Sequence, residues 1–310
     1  MSTKINILVT TAESRTADAI LAEFNRKYHN LTDMHMCAQI SPNVETKERE
    51  YDNVKLITCD PAEASCEELC QAMQNMDTVI LIPPASENKV EVAKKLMDCA
   101  MKCNVKNCVV LSDCCAELAP DAKQYRKFVE IEKYIKEKCG KGNCHVAFAR
   151  SGHYMQNLFL YAKQMKENGF LGLPMGKGKF APVDNRDVAI AVLALATSGS
   201  EMSDKFRDKT FHLTGTEVVS GEDIVNAAKE AGLDHKLTFK DIPEEEAKEY
   251  LSQIPQMDPS EVELILEDFR LVREGKLQKA TSDLKDLIVE KPTTLFDFFK
   301  EYKGDFMNPQ

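Results

Sequence analysis

No stretch of this chain approaches the roughly 18 consecutive apolar residues that a membrane-spanning helix needs. The opening MSTKINILVTTAES has too short an apolar run, and no cleavage pattern, for a secretory signal. No membrane association is expected, and the expected location is the cytoplasm, with the nucleus as the other compartment open to such a chain. Gly/Ser/Pro-rich and low-complexity tracts are missing, and with 43% hydrophobic and 29% charged residues the chain has enough apolar groups to offset the entropy of ordering. Tryptophan is absent as well. Positive charge is in deficit: the net charge is −10, and no Lys/Arg stripe with interleaved aromatics reverses it locally, so direct nucleic-acid binding is not expected. No CxxC pair occurs among the eleven cysteines, an odd number that a disulfide framework would leave with one thiol over. They read as free thiols in a reducing compartment, with no metal site expected. Cys66/Cys70 and Cys99/Cys103 are each four residues apart on predicted helices, and Cys114 adjoins Cys115.

The first half alternates short β-branched runs with amphipathic stretches, the pattern of βαβ units. The predicted strands are INILVT (5–10), MHMCAQI (34–40), VKLIT (54–58), TVILI (78–82), NCVVLS (107–112) and CHVAFAR (144–150). Between them, apolar residues recur at helical spacing, for example Val90, Val92, Ala93, Leu96, Met97 and Ala100. The fold class that follows is α/β, a doubly wound parallel sheet over residues 1–150, with a smaller α+β C-terminal lobe over 151–310 intertwined with it. The second half offers DVAIAVLALAT (187–197), TFHLTG (210–215), a helix opened by SGEDIV (220–225) and KLTFKDI (236–242). From Asp241 to Arg270 ten acidic residues stand against two basic ones, a solvated helical face or a patch for a basic partner. GLPMGKGKF (172–180) lacks the G-x-x-x-x-G-K-[ST] spacing of a phosphate-wrapping loop and reads as a turn.

In a βαβ nucleotide fold the pyrophosphate rests on the N-terminus of the first helix, and glycines there permit a tight turn and close backbone approach. Here the strand, turn and helix read VTTAESRTADAI (9–20) without one glycine. A side chain where φ must be positive costs roughly 1–2 kcal/mol, and Glu13 competes with a phosphate for the positive helix end. Without a ligand, Ser14 or Thr16 caps the helix and Glu13 answers its dipole.

Taken together, the ILVTTAESRT loop, LITCDPAE (56–63), VILIPPASE (79–87), VKNCVVLSD (105–113) and above all FARSGHYMQNL (148–158) resemble the NmrA-like family. Its members are atypical short-chain dehydrogenase/reductase relatives with an NAD(P)-binding Rossmann domain. GKGKFAPVDNRDVAIAVLALAT (176–197) and TFHLTGTEVVSGEDI (210–224) follow in the family's order. The resemblance implies a nicotinamide cofactor, often NADP, in either a reductase of quinones or small carbonyl compounds or a redox-sensing regulator that binds proteins. Position by position it implies that Thr10, Thr11, Ala12, Ser14, Arg15 and Thr16 line the pyrophosphate loop and that Asp60 lies near the adenine. Ile82, Pro83 and Pro84 would flank the ribose, Ser112 the nicotinamide side, and Tyr154 the cleft mouth. Three departures stand out: Thr11, Ser14 and Ala17 occupy the glycine positions, QISPN (39–43) carries neither a base for a 2′-phosphate nor an acid for a ribose diol, and Gln124 and Phe128 stand where relatives carry tyrosine and lysine.

Hydride transfer to a carbonyl needs a proton donor, commonly a Tyr assisted by a Lys on the same helix face. Tyr125 and Lys127 are two residues apart and point about 200° away from each other on a helix, while Tyr134 and Lys138 sit too near the following strand. All four are expected at the surface. His153, beside the cleft-lining turn, is the remaining acid/base candidate. The leading expectation is a non-catalytic or weakly catalytic regulator, interaction or assembly protein. It would have no cofactor or weakly bound NADP(H), a protein partner or self-association, and room for a small molecule in the cleft. The alternative is an NADPH-dependent reductase; self-association through cysteines is a third reading.

Overall fold

The computed structural model describes residues 5–28, 30–31, 33–42, 54–119, 122–199 and 202–309. Asn43, the last residue of the QISPN stretch, lies outside them. The β-branched runs form β1 (Ile5–Val9), β2 (Met34–Ile40), β3 (Val54–Thr58), β4 (Thr78–Leu81), β5 (Asn107–Asp113) and β6 (His145–Ser151). The intervening helices are α1 (Arg15–Tyr28), α2 (Cys66–Met73), α3 (Lys89–Lys102) and α4 (Lys123–Gly140). Then come α5 (Ala162–Asn168), β7 (Phe170–Leu173), α6 (Asn185–Ala196), β8 (Lys209–Leu213), α7 (Gly221–Glu230), β9 (Thr238–Asp241), α8 (Glu244–Ser252) and α9 (Pro259–Arg273).

The main sheet has the order β3-β2-β1-β4-β5-β6-β8. β1 runs parallel to β2, with Ile7 beside Met36, and parallel to β4, with Leu8 beside Val79. The order reverses between β1 and β4, which makes the carboxyl ends of those two strands the switch point where a doubly wound sheet opens a ligand crevice. β1 and β4 are covered on both faces, which explains why INILV and TVIL read as continuous apolar runs and do not alternate.

The chain divides into two units. The first comprises Met1–Asp113, Lys127–Arg150 and Val188–Phe211; the second comprises Cys114–Arg126, Ser151–Asp187 and His212–Gln310. The chain passes between the units several times, and most of α6 joins the first unit. α6 is apolar nearly all round, from Val188 to Ala196, the pattern of a helix buried in a core and not of one that pays for a solvated face. Local signals start the helices: Ser65 and Glu68 form a reciprocal capping box on α2, Ser220 and Asp223 do so on α7, and Asp258 caps α9 ahead of Pro259. The second unit holds the two-stranded parallel sheet β7-β9 and a core that includes Met155, Tyr161, Leu266, Phe269, Phe298 and Phe299. Among the described residues no helix is long and apolar enough to cross a membrane.

One buried carboxyl in the second unit gives the fold a pH signature. Asp187 accepts the backbone N–H of Thr293 at 2.7 Å and its hydroxyl at 3.1 Å. Burial outweighs those bonds and pushes its pKa up from 3.8 to about 6. The folded value lies above the unfolded one, so the native state holds the extra proton below pH 6 and the buried charge costs stability above it. Asp187→Asn is therefore expected to raise the melting temperature at pH 7.5 and to lose that advantage by about pH 4.5. Thermal melts at the two pH values check this, and equal shifts would exclude the carboxylate charge as the cause.

Candidate functional site

At the switch point of the first unit, the turn after β1 is tied down from within. Thr11 takes φ +51°, a left-handed conformation that a β-branched residue rarely adopts. Its N–H donates to Oε1 of Gln39 at 3.3 Å, the N–H of Ala12 to the Gln39 carbonyl at 2.8 Å, and the N–H of Ser14 to the Thr11 carbonyl at 3.0 Å. The Thr11 hydroxyl donates to the carbonyl of Ile82 at 2.7 Å, and the Thr10 hydroxyl accepts the N–H of Ile82 at 2.9 Å, so two side chains bridge the ends of β1 and β4. Thr10, Thr11 and Ala12 are buried. Ser14 is the helix cap, as its residue type predicts: its Oγ accepts the N–H of Ala17 at 3.2 Å. Arg15 is exposed and Thr16 half-buried.

Glu13 does more than answer the helix dipole. Its Oε1 accepts the Ser41 hydroxyl at 2.9 Å, just past β2, while Oε2 is buried without a hydrogen-bond partner. An acid absent from QISPN in sequence thus arrives beside that stretch from the preceding loop. Pro83 and Pro84 are half-buried after β4. Asp60 closes a tight turn through the N–H of Ala62 and borders an open groove of about 680 Å³ with Pro42, Leu56, Thr58 and Glu63.

Ser112 belongs to a buried ionic group in the same unit. Its hydroxyl donates to Oε1 of Glu132 at 2.5 Å, and Arg150 grips both oxygens of Glu132 at 2.8 and 2.6 Å. Phe128, at the lysine position of the family pattern, lies 5.1 Å from the ammonium of Lys89, a side chain only 2% exposed at the start of α3. Sequence spacing gave no sign of Lys89, because it reaches this point from another helix.

The expected surface pairs resolve differently. Tyr125 is fully buried in the second unit, a correction to its expected exposure: its hydroxyl donates to Asp268, and α4 turns that face inward. Lys127, on the opposite side of the helix, pairs with the carboxylate and carbonyl of Glu87 at 2.9 and 3.1 Å. The offset of about 200° therefore separates the two as expected, but neither is exposed, the Lys127 side chain being only 13% exposed. Tyr134 and Lys138 both bond Asp98 and are half-buried.

His153 is not alone. Its Nδ1 lies 2.9 Å from Oδ2 of Asp268, and since a carboxylate only accepts, that nitrogen carries the proton. Its Nε2 lies 3.3 Å from the amide nitrogen of Asn157, and the ring meets Phe180 edge-on. The Cys115 thiol reaches Oδ1 of Asp268 at 3.6 Å. His153 also borders a cavity of about 230 Å³ lined by Cys114, Phe180, His212, Thr214, Lys276 and Thr281. That volume lies below the usual range of ligand sites, which starts at about 300 Å³. Tyr154, next in sequence, bridges to Val183, which anchors the turn ahead of α5.

Comparisons with known proteins agree with this architecture. The chain is similar to the NAD(P)H azoreductase of Xenophilus azovorans, 28% identical over 185 residues, which are 58% of this chain and 60% of the azoreductase. The match thus spans less than two thirds of that relative. Among solved structures, triphenylmethane reductase of Citrobacter sp. complexed with NADP(H) superposes with a TM-score of 0.78 at 17% identity, over 96% of this chain and 99% of that one. An NADPH-dependent quinone oxidoreductase from Escherichia coli complexed with NADPH gives 0.77 at 18% identity, over 96% and 99%. The negative transcriptional regulator NmrA in complex with NAD gives 0.76 at 16% identity, over 97% and 95%. At such identities these likenesses establish the fold alone. The model of the NmrA-like family, however, matches residues 4–299, nearly the whole chain, and the chain belongs to that family.

Proposed function

We propose that this chain is a non-catalytic or weakly catalytic NmrA-like protein that works through protein contacts and holds a dinucleotide weakly. The observation that carries this reading is the self-satisfied turn at the switch point. The amides of Thr11, Ala12 and Ser14 already donate within the chain, and the hydroxyls of Thr10 and Thr11 are spent on Ile82. A pyrophosphate arriving there would have to displace bonds before making its own, and Glu13 would repel it. Two or three such losses amount to about a hundredfold or more in affinity at 1.4 kcal/mol per decade. The separation of Tyr125 from Lys127 also supports it, since each already has an acidic partner. NmrA, a negative transcriptional regulator of similar fold, supports the same reading.

The test is a fluorescence titration with NADPH and NADH, followed by addition of quinones. The expected result is binding at least about a hundredfold weaker than micromolar, with no quinone-dependent oxidation of NADPH. Micromolar or tighter binding together with turnover would overturn it. Glu13→Gln removes the charge and keeps the Ser41 bond, so it is expected to improve NADPH binding several-fold, and NADPH more than NADH.

The second reading, an NADPH-dependent reductase, has one structural observation in its favour. The buried ammonium of Lys89 over Phe128 supplies a cation where relatives carry a lysine. Under that reading Lys89→Met abolishes turnover and leaves the fold intact, whereas under the first there is no turnover to lose.

A further inference from the structure

We propose that Cys66, Cys70 and Cys99 form a binding site for a thiophilic d10 metal cation, with Cys103 beside it. Side chains four residues apart share one face of a helix, so Cys66 and Cys70 stand together on α2, and Cys99 and Cys103 together on α3. In the first unit these two faces meet. The sulfurs of Cys66, Cys70 and Cys99 all lie within 4.8 Å of one another, with Cys66 and Cys99 2.9 Å apart. Cys70 points at the carbonyl of Cys99 at 4.0 Å, and Cys103 donates to the carbonyl of Cys70 at 3.4 Å. The site is empty.

A tetrahedral zinc with sulfur ligands at about 2.3 Å holds its sulfurs about 3.8 Å apart. The three thiols are thus gathered on the scale that such an ion needs, and closing the site asks for shifts of about an ångström. Soft thiolate ligands select zinc or copper(I) over oxygen-seeking ions. Charge balance points the same way. The Lys102 ammonium sits 3.2 Å from the Cys66 sulfur, so three thiolates, one divalent ion and one ammonium sum to zero. Binding releases the three thiol protons to solvent and forms three metal–sulfur bonds, with no redox change. A Cys66–Cys99 disulfide would explain the shortest contact, but it would require an oxidant. It would also leave Cys70 without a role and Lys102 without a charge to neutralise. Cys99 is fully buried while Cys66 and Cys70 are half-buried, an arrangement that leaves an entry path on the α2 side.

The experiment uses the full chain, reduced and stripped with a chelator, titrated with Zn²⁺ against a chromophoric chelator and with Co²⁺ for its thiolate charge-transfer absorption. A parallel titration adds Cu⁺ against a copper(I) chelator. The expected result is one equivalent of Zn²⁺ bound, a sulfur-to-cobalt band, and at least a tenfold loss of affinity in each of Cys66→Ser, Cys70→Ser and Cys99→Ser, with Cys114→Ser unchanged. Far-UV circular dichroism of the metal-free variants separates lost ligands from lost folding. The proposal is overturned if neither Zn²⁺ nor Cu⁺ binds stoichiometrically, if the metal that binds is indifferent to Cys70→Ser, or if the native chain is two mass units lighter with Cys66 cross-linked to Cys99.

Discussion

Asp268→Ala is expected to destabilise the protein by about 3–5 kcal/mol, the usual cost of stranding buried partners of a removed charge. One carboxylate on α9 receives the Tyr125 hydroxyl, the His153 Nδ1 proton and the Cys115 thiol, and the side chains of the His153–Asp268 pair are only 7% and 9% exposed. Alanine removes the acceptor that the phenol and the imidazole now share and opens a void between them. For a chain of this size the loss lowers the melting temperature by roughly 5–8 °C. Asp268→Asn keeps the shape but turns one acceptor into a donor that faces another donor, so a loss of about 1–3 kcal/mol is expected. Tyr125→Phe measures the phenol alone. In the double variant Tyr125→Phe with Asp268→Ala the combined loss should fall short of the sum by about 0.5–3 kcal/mol. Strict additivity would mean that the two side chains do not depend on each other. Calorimetry of the four proteins decides it.

This network also marks where the sequence stopped being informative. The β-branched runs were enough for the strands: VKLIT and MHMCAQI fall on β3 and β2 residue for residue, β2 burying its last five residues inside the sheet and β3, the edge strand, keeping its β-branched residues half-buried or exposed. The missing glycines of VTTAESRT were equally plain, and their consequence is the positive φ that Thr11 adopts in place of a glycine. The partner of His153 was invisible, because Asp268 lies 115 residues away and within an acidic stretch that reads as a solvated face. Tyr125 looked exposed for a related reason. Helical geometry puts it opposite Lys127 but does not say which of the two turns inward. The cysteine spacings placed two thiol pairs on helix faces, yet only the packing of α2 against α3 turns those faces toward each other. What spacing along one element decides was readable; what depends on two distant elements meeting was not.

The buried ionic group of the first unit makes the sharper test of how such contacts are held. Glu132→Ala removes the carboxylate that Arg150, whose side chain is 6% exposed, grips with two bonds, and takes away an acceptor of the Ser112 hydroxyl. A guanidinium left in that position without its carboxylate costs about 3–5 kcal/mol, as large as the Asp268 effect and for the same physical reason. The two cases separate when the partner is removed as well. A planar guanidinium gripping a carboxylate through two parallel bonds repays its desolvation only while both are present. Glu132→Leu combined with Arg150→Met therefore recovers most of the loss expected of Glu132→Leu alone or Arg150→Met alone, because neither charge of the pair remains. Urea denaturation of the two singles and the double measures this directly. A double variant as unstable as the sum of its singles would mean that Glu132 and Arg150 hold the strand–helix packing by shape, and that the ion pair itself contributes nothing to the choice of fold.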